Sequence, residues 1–323
     1  FFFTPFRIGA RLPARVLNGN AIRDQILAEL GGEVKALAAR DIRPGLAAVL
    51  VGHNPASEVY VRGKIKACQA LGLHSEKITP PESVTTDDML ALVDELNHRD
   101  EIDGILVQLP LPAQVDSKRV LLAVDPAKDV DGFHPCNVGL LATQRPGLVA
   151  CTPAGILEIL KRSRIPIAGR RAVVLGRSDI VGKPVAFLLL HENATVTICH
   201  SRTENLATVA READILVAAL GRAAMVTREF IRPGATVIDV GINRLENAAD
   251  VERIFAAMPS KLEDFRQRGS VLVGDVHPSD VIECAGAYTP VPGGVGPLTI
   301  AMLMANTVKA ARLRREGAGA AGC

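Results

Sequence analysis

Hydrophobic positions recur along this chain with two periods. Ile22, Ile26, Leu30, Val34 and Leu37 stand at helical spacing and predict an amphipathic helix ending near Arg40. Short continuous apolar runs follow at 46–51, 105–107, 173–175, 194–199, 215–218, 236–240 and 271–273. Bounded by glycine, proline or polar turns, such runs read as strands buried on both faces of a parallel sheet. Helical patterns alternate with them, starting at 55 and covering 87–97, 118–124, 152–164 and 298–313. Thr152 is the candidate N-cap of the fourth of these. The alternation places the chain in the α/β class, as two domains that meet near residue 150.

The run at 173–175 leads at once into Gly176-Arg177-Ser178-Asp179-Ile180, and Val181-Gly182-Lys183-Pro184 then opens a helix. A dinucleotide site requires this order. One glycine makes the sharp turn and another lets the helix approach the strand. The helix N-terminus offers free N–H groups and a positive dipole end to a pyrophosphate. Ser178 replaces the middle glycine of G-x-G-x-x-G, so an ordinary tight turn is the competing reading. The next strand ends in His200-Ser201-Arg202-Thr203, without the carboxylate that holds the ribose hydroxyls of NAD. Arg177, Ser201 and Arg202 can donate to a 2′-phosphate, which favours NADP; two solvated arginines in a polar loop are the alternative.

Polar residues interrupt the apolar pattern elsewhere. Asn54 is a candidate N-cap for a helix on which Ser57, Tyr60 and Lys64 share one face. Val59, Ala67, Ala70 and Leu71 form a second, apolar face. A phenol and an amine thus project beyond a strand's C-terminal end, where open α/β sheets bind ligands. Two solvated side chains are the plain alternative. Gln108 ends a strand that Pro110 closes, so it is bonded inside the fold or faces a cleft. The stretch 125–133 gathers three carboxylates and Lys128 in a turn that is either solvated or recognises substrate. The Gly/Pro-rich stretch 289–299 is a clamp for an anion or cofactor, or a hinge.

Composition narrows the function. The 323 residues are 48% hydrophobic and 22% charged with a net charge of +2, which fits a globular chain and leaves no general footprint for nucleic acid or an acidic membrane. Aromatic residues make up 3% with no Trp, which argues against a base-stacking platform. No apolar run reaches the length of a membrane span. Six cysteines without a C-x-x-C pair fit reduced thiols in the cytoplasm, and seven histidines show no metal-ligand spacing, so no metal is expected. Residues 1–16 hold four of the nine phenylalanines, three arginines and no acid. They read as a disordered extension or start-site artefact, with an organellar leader as the alternative, and the fold is expected to begin near Asn18.

Seven stretches bring a family into view: Ser57-Glu58-Val59-Tyr60-Val61-Arg62-Gly63-Lys64, Gly104 to Pro112, Lys128-Asp129-Val130-Asp131-Gly132-Phe133, Cys151-Thr152-Pro153, Gly176 to Pro184, Asp239-Val240-Gly241-Ile242-Asn243 and Pro292 to Pro297. In this order, across about residues 18–313, the chain resembles the bifunctional methylenetetrahydrofolate dehydrogenase / methenyltetrahydrofolate cyclohydrolase family. The resemblance implies an N-terminal α/β catalytic domain (1–150), a C-terminal Rossmann domain (151–297), a folate cleft between them, and a final helix (298–313) packing back on the first domain. It implies that Lys64 is the catalytic lysine, that Gln108 partners it, that Tyr60 packs on the folate and that Asp131 recognises the pterin ring. Leu109, Pro110, Pro292, Gly293 and Gly294 would border the substrate, and Gly176, Arg177, Ser178, Ser201, Arg202 and Ile242 would bind NADP. The activity implied is NADP-dependent oxidation of 5,10-methylenetetrahydrofolate to the 5,10-methenyl compound and its hydrolysis to 10-formyltetrahydrofolate, in one-carbon metabolism and purine biosynthesis. The expected assembly is a homodimer, with tetrahydrofolate derivatives as partners and neither nucleic acid nor membrane. A dehydrogenase-only folate enzyme and a non-catalytic NADP-binding sensor are the alternatives. The chain departs from the family pattern at Asp100, displaced by one position, at Leu298, where methionine is common, and at His277, where an acid is frequent.

Overall fold

The computed structural model describes residues 13–315. The elements run β1 (Arg15–Val16), α1 (Gly19–Ala38), β2 (Gly45–Val49), α2 (Pro55–Leu71), β3 (His74–Ile78), α3 (Thr86–His98), β4 (Gly104–Val107), α4 (Ser117–Ala123), α5 (Pro135–Ala142) and α6 (Cys151–Arg162). They continue β5 (Arg171–Leu175), α7 (Gly182–His191), β6 (Thr195–Cys199), α8 (Leu206–Ala210), β7 (Ile215–Ala218), β8 (Thr236–Asp239), β9 (Asn243–Leu245), α9 (Ala248–Phe255), α10 (Pro259–Arg268), β10 (Val271–Val273), α11 (Pro278–Cys284), β11 (Ala287–Tyr288) and α12 (Val295–Arg315). Two sheets are wholly parallel, in the orders β3-β2-β4 and β1-β11-β8-β7-β5-β6; β9 and β10 form an antiparallel pair.

Strand periodicity distributes the core. Along β2 and just beyond it, Leu46, Ala48 and Leu50 enter one core while Ala47, Val49 and Val51 enter another against α3. On β5, Ala172 and Val174 join the first core, and Val173 and Leu175 face the opposite side of their sheet. The first core therefore touches both sheets. α1 buries Ile22, Ile26, Leu30, Val34 and Leu37 in it, as their spacing predicts.

α12 runs through this shared core, against α1, α2 and α6. The contact with α6 is close: a Cβ at Gly155 would stand 2.6 Å from Leu298 Cβ. At the far end, Arg314 Nη1 lies 2.6 Å from Asp103 Oδ1 and Arg315 Nη2 lies 2.7 Å from Asp103 Oδ2. Asp103 is fully buried just before β4. Burial raises its carboxyl pKa, while Arg315, the Gly45 N–H and Arg314 pull it back.

Several sequence expectations are corrected. The phenylalanine-rich start lies outside the described residues, but Arg15 and Val16 form an edge strand on β11, so the fold begins before Asn18. Val271–Val273 is a strand, yet it pairs with β9 and not with the main sheet. α6 starts at Cys151 with Ala150 as N-cap, which frees Thr152 from capping; its Oγ1 lies 3.0 Å from Thr299 Oγ1 on α12. On α2 the buried stripe is Ser57, Val61, Lys64 and Cys68, whereas Val59 and Ala70 are exposed. The reason is α12, whose Met304 Sδ lies 3.5 Å from Cys68 Sγ and draws that stripe inward. Cys68, Cys151, Cys199 and Cys284 are free. Among the described residues no helix is long and apolar enough to cross a membrane.

Candidate active site

Asn54 begins the local order. Its side chain accepts the Ser57 N–H at 3.0 Å and starts α2 directly after the end of β2. Three and seven residues beyond Ser57 stand Tyr60, 43% exposed, and Lys64, only 7% exposed. Lys64 Nζ donates to Gln108 Oε1 at 3.0 Å. Gln108 Nε2 in turn donates to the Leu109 carbonyl at 2.8 Å, which sets the amide with its oxygen toward the lysine. Gln108 holds its place because its N–H donates to Val49 O at 2.9 Å, at the end of the β2–β4 pairing. Leu109 is half-buried and Pro110 exposed beside it.

Asp131 is the charged group opposite. It is half-buried, and burial pushes its carboxyl up to about 6; the Lys64 charge pulls it down and Asp129 pushes it up. The 125–133 stretch is thus neither a solvated turn nor uniformly a recognition loop. Lys128 is 1% exposed and donates to Leu96 O at 3.0 Å and Arg99 O at 2.7 Å. Asp129 accepts the His134 N–H at 2.8 Å and Asn137 Nδ2 at 2.9 Å. Both are consumed in holding the loop, which leaves Asp131 as its chemical face. Gly132 then turns with φ +73°, and a Cβ there would stand 2.4 Å from Ala150 N.

Two residues in this region carry no role in the sequence reading, Asn306 and Cys151. Asn306 of α12 donates through Nδ2 to Val130 O and Val149 O, both at 2.8 Å. Cys151 Sγ donates to the same Val130 carbonyl at 3.2 Å. Burial, then the Asp131 charge, raise the Cys151 pKa far above its usual value, so the thiol is a hydrogen-bond donor and no nucleophile. The available signal for Asn306 was a lone amide inside the apolar run of 303–308.

The nucleotide end is built on close approach. Gly176 has φ +121° and a Cβ there would stand 2.2 Å from Ala219 O; a Cβ at Gly182 would stand 2.3 Å from Gly176 O. Ser178 Oγ accepts the N–H groups of Val181 and Gly182, each at 3.2 Å, so these amides are not free as the dinucleotide pattern suggested. The turn after β6 is tied internally: His200 N–H donates to Thr203 Oγ1 at 2.9 Å and Arg202 N–H to His200 Nδ1 at 3.2 Å. Arg177, Ser201 and Arg202 are exposed, and neither guanidinium has a partner among the described residues. Ile242, after β8, is 48% exposed, and a methyl group at Gly296 would stand 3.5 Å from its Cδ1. Pro292 is exposed, while Gly293 O accepts the Gly19 N–H at 2.9 Å and Gly294 is buried, so this stretch is tied to the start of α1. The structure thus groups Lys64, Gln108, Leu109 and Asp131, with Tyr60 on the same helix face; the nucleotide residues gather at the carboxyl ends of β5, β6 and β8. Among the described residues, no group of three or more His, Cys, Asp or Glu could hold a metal ion.

Comparison with known proteins identifies the family. The catalytic domain of tetrahydrofolate dehydrogenase/cyclohydrolase matches residues 17–131, and the NAD(P)-binding domain of the same family matches residues 150–315. The chain is 66% identical over 303 residues to the bifunctional protein FolD of Solibacter usitatus, covering 94% of this chain and 99% of that protein. It is 64% identical over 302 residues to the FolD of Koribacter versatilis, covering 94% and 98%. Among solved structures, the Trypanosoma brucei methylenetetrahydrofolate dehydrogenase-cyclohydrolase, complexed with NADP cofactor and inhibitor, is 39% identical with a TM-score of 0.84 and coverage of 96% and 100%. The chain belongs to the tetrahydrofolate dehydrogenase/cyclohydrolase family.

Proposed function

We propose that this chain oxidises 5,10-methylenetetrahydrofolate with NADP+ and hydrolyses the resulting 5,10-methenyl compound to 10-formyltetrahydrofolate. The observation that carries the reading is the Lys64–Gln108 hydrogen bond of 3.0 Å beside a carboxyl, Asp131, whose pKa Lys64 lowers. The sharp turn at Gly176, the close strand–helix approach that it and Gly182 allow, and the unpartnered Arg177 and Arg202 fit a phosphorylated dinucleotide. Bound NADP+ supplies the hydride acceptor. Gly176, Ser178 and Ile242 seat it, and Arg177, Ser201 and Arg202 take the 2′-phosphate. Asp131 accepts hydrogen bonds from the pterin, Tyr60 packs on the ring, and Leu109, Pro110, Pro292, Gly293 and Gly294 border the folate.

Loss of hydride leaves a resonance-stabilised cation, so the first step requires positioning but no base. The second step adds water. A C–O bond forms at the bridging carbon as Lys64, in its amine form, takes one water proton; that proton is returned to N5 as the C–N5 bond breaks, and the remaining hydroxyl proton leaves to solvent as the formyl C=O forms. Gln108 orients the lysine for both transfers.

We further propose a division near residue 150, with α12 returning to the first domain, a view supported by the contacts of α12 with α1 and α2. The working assembly is a homodimer, supported by β6, an edge strand with Ile198 42% exposed. The cytoplasm suits its four free thiols. The test of the dehydrogenase reading is cofactor reduction followed by absorbance, with methylenetetrahydrofolate present. Reduction of NADP+ in preference to NAD+ supports it; NADP+ binding without any reduction would turn the chain into a sensor.

A further inference from the structure

Asp275 lies just after β10 and is fully buried. No lysine or arginine pairs with it among the described residues. Its Oδ2 accepts the N–H groups of Leu220, at 2.5 Å, and Gly221, at 2.9 Å. Its Oδ1 accepts the Arg222 N–H at 2.8 Å and Asn243 Nδ2 at 3.0 Å. Three successive N–H groups converging on one anion make a nest, the concavity that commonly receives a phosphate, and Gly221 supplies its left-handed residue with φ +64°. Here the anion is a side chain of the protein.

The nest follows β7, and Asn243 follows the turn after β8. Asp275 therefore ties together the carboxyl ends of two neighbouring strands in the nucleotide sheet. The fit leaves no room for alternatives: a Cβ at Gly241 would stand 2.3 Å from Asp275 Oδ1. Gly241 and Asn243 flank Ile242, the residue that meets Gly296 at the start of α12. A second carboxylate completes the tie. Asp239 Oδ1 accepts the Asp275 N–H at 2.8 Å and the Gly241 N–H at 3.0 Å, and its Oδ2 accepts the Val276 N–H at 3.0 Å.

We infer that Asp275 is a positioning residue for NADP: its carboxylate fills the nest after β7 and fixes the 241–243 turn, setting where Ile242 would meet the cofactor. This rests on the cofactor reading proposed above. Because Asp275 touches neither Lys64 nor Gln108, its influence falls on the cofactor-dependent step and spares hydrolysis, which uses no cofactor.

The experiment compares the full-length wild type with Asp275→Asn and Asn243→Ala. The asparagine turns an NH2 group toward amides that need an acceptor, and Asn243→Ala removes one bond of the four while leaving the nest filled. Equilibrium titration with NADP+, dehydrogenase kinetics and hydrolysis of purified methenyltetrahydrofolate are measured on each. Expected are a rise of roughly tenfold or more in the NADP+ dissociation constant and KM for Asp275→Asn, a smaller rise for Asn243→Ala, and hydrolysis within about twofold of wild type in both. Unchanged NADP+ constants, or both activities falling by the same factor, overturn the inference. Should Asp275→Asn not fold, Asn243→Ala decides alone, and an unchanged KM for NADP+ overturns it. If the wild type itself fails to titrate NADP+, the cofactor reading fails first, and the two failures are distinct.

Discussion

Replacing Lys64 by methionine separates the two activities. The unbranched side chain of methionine keeps the packing of the Val61–Cys68 stripe, but the 3.0 Å bond to Gln108 Oε1 and the positive charge beside Asp131 are lost. An acceptor left without its donor costs about 1–3 kcal/mol. Removing a buried ammonium offsets this by ending its desolvation, so Lys64→Met folds with a stability change of no more than about 2 kcal/mol. Hydrolysis loses its proton carrier and falls about 10²–10⁴-fold, equivalent to ~3–5 kcal/mol in the barrier. Hydride transfer needs no proton carrier and falls far less. A second effect follows from the same charge. Lys64 holds the Asp131 carboxyl down, near 6, so without it that carboxyl titrates at higher pH. The acid limb of the pH profile for folate KM then moves upward. The assay follows methenyltetrahydrofolate loss and NADP+ reduction separately, each against pH. Full hydrolysis in Lys64→Met, an unmoved acid limb, or equal losses in both activities would refute the reasoning.

Other perturbations read other parts of the site. The Asp131 carboxyl is raised on folding from 3.8 to about 6, so its contribution to stability is complete below pH 4 and lost as pH rises through 6. Asp131→Asn, neutral throughout, is therefore expected to gain about 1–2 kcal/mol over wild type at pH 7 in denaturant titrations while its folate KM rises, and no gain would count against the burial argument. Arg202→Ala raises KM for NADP+ about tenfold and leaves KM for NAD+ unchanged; equal effects on both would remove the arginine from the 2′-phosphate. Asn306→Ala orphans the Val149 carbonyl and leaves Val130 O with Cys151 alone, costing about 2–4 kcal/mol in unfolding free energy and raising folate KM in both activities.

Much of this was legible in the chain. Strands β2, β7 and β8, central in their sheets, and β4, at an edge, are buried along their whole length, and burial on both faces leaves an unbroken apolar run in the sequence. β3 is only half-buried along its length, so it carries the polar His74-Ser75-Glu76-Lys77, and that composition hides it. β1 and β11 are two residues each, too short for any period. α9 buries Val251, Ile254 and Phe255 at helical spacing, a pattern present in the sequence but passed over among its polar neighbours. At the site, Tyr60, Lys64 and Gln108 were visible because polar residues stood at strand ends and on one helix face. The supporting residues were not. Asn306 and Asp275 act through backbone groups that are 176 and more than 50 positions away, and no local pattern encodes such a contact.

Bifunctionality is tested most directly by the decay of purified 5,10-methenyltetrahydrofolate with the full-length protein and no nucleotide present. Loss faster than the spontaneous rate, in proportion to protein and abolished in Lys64→Met, is the predicted result. Decay at the spontaneous rate, by a protein that still reduces NADP+ with methylenetetrahydrofolate, would contradict it and leave a dehydrogenase alone.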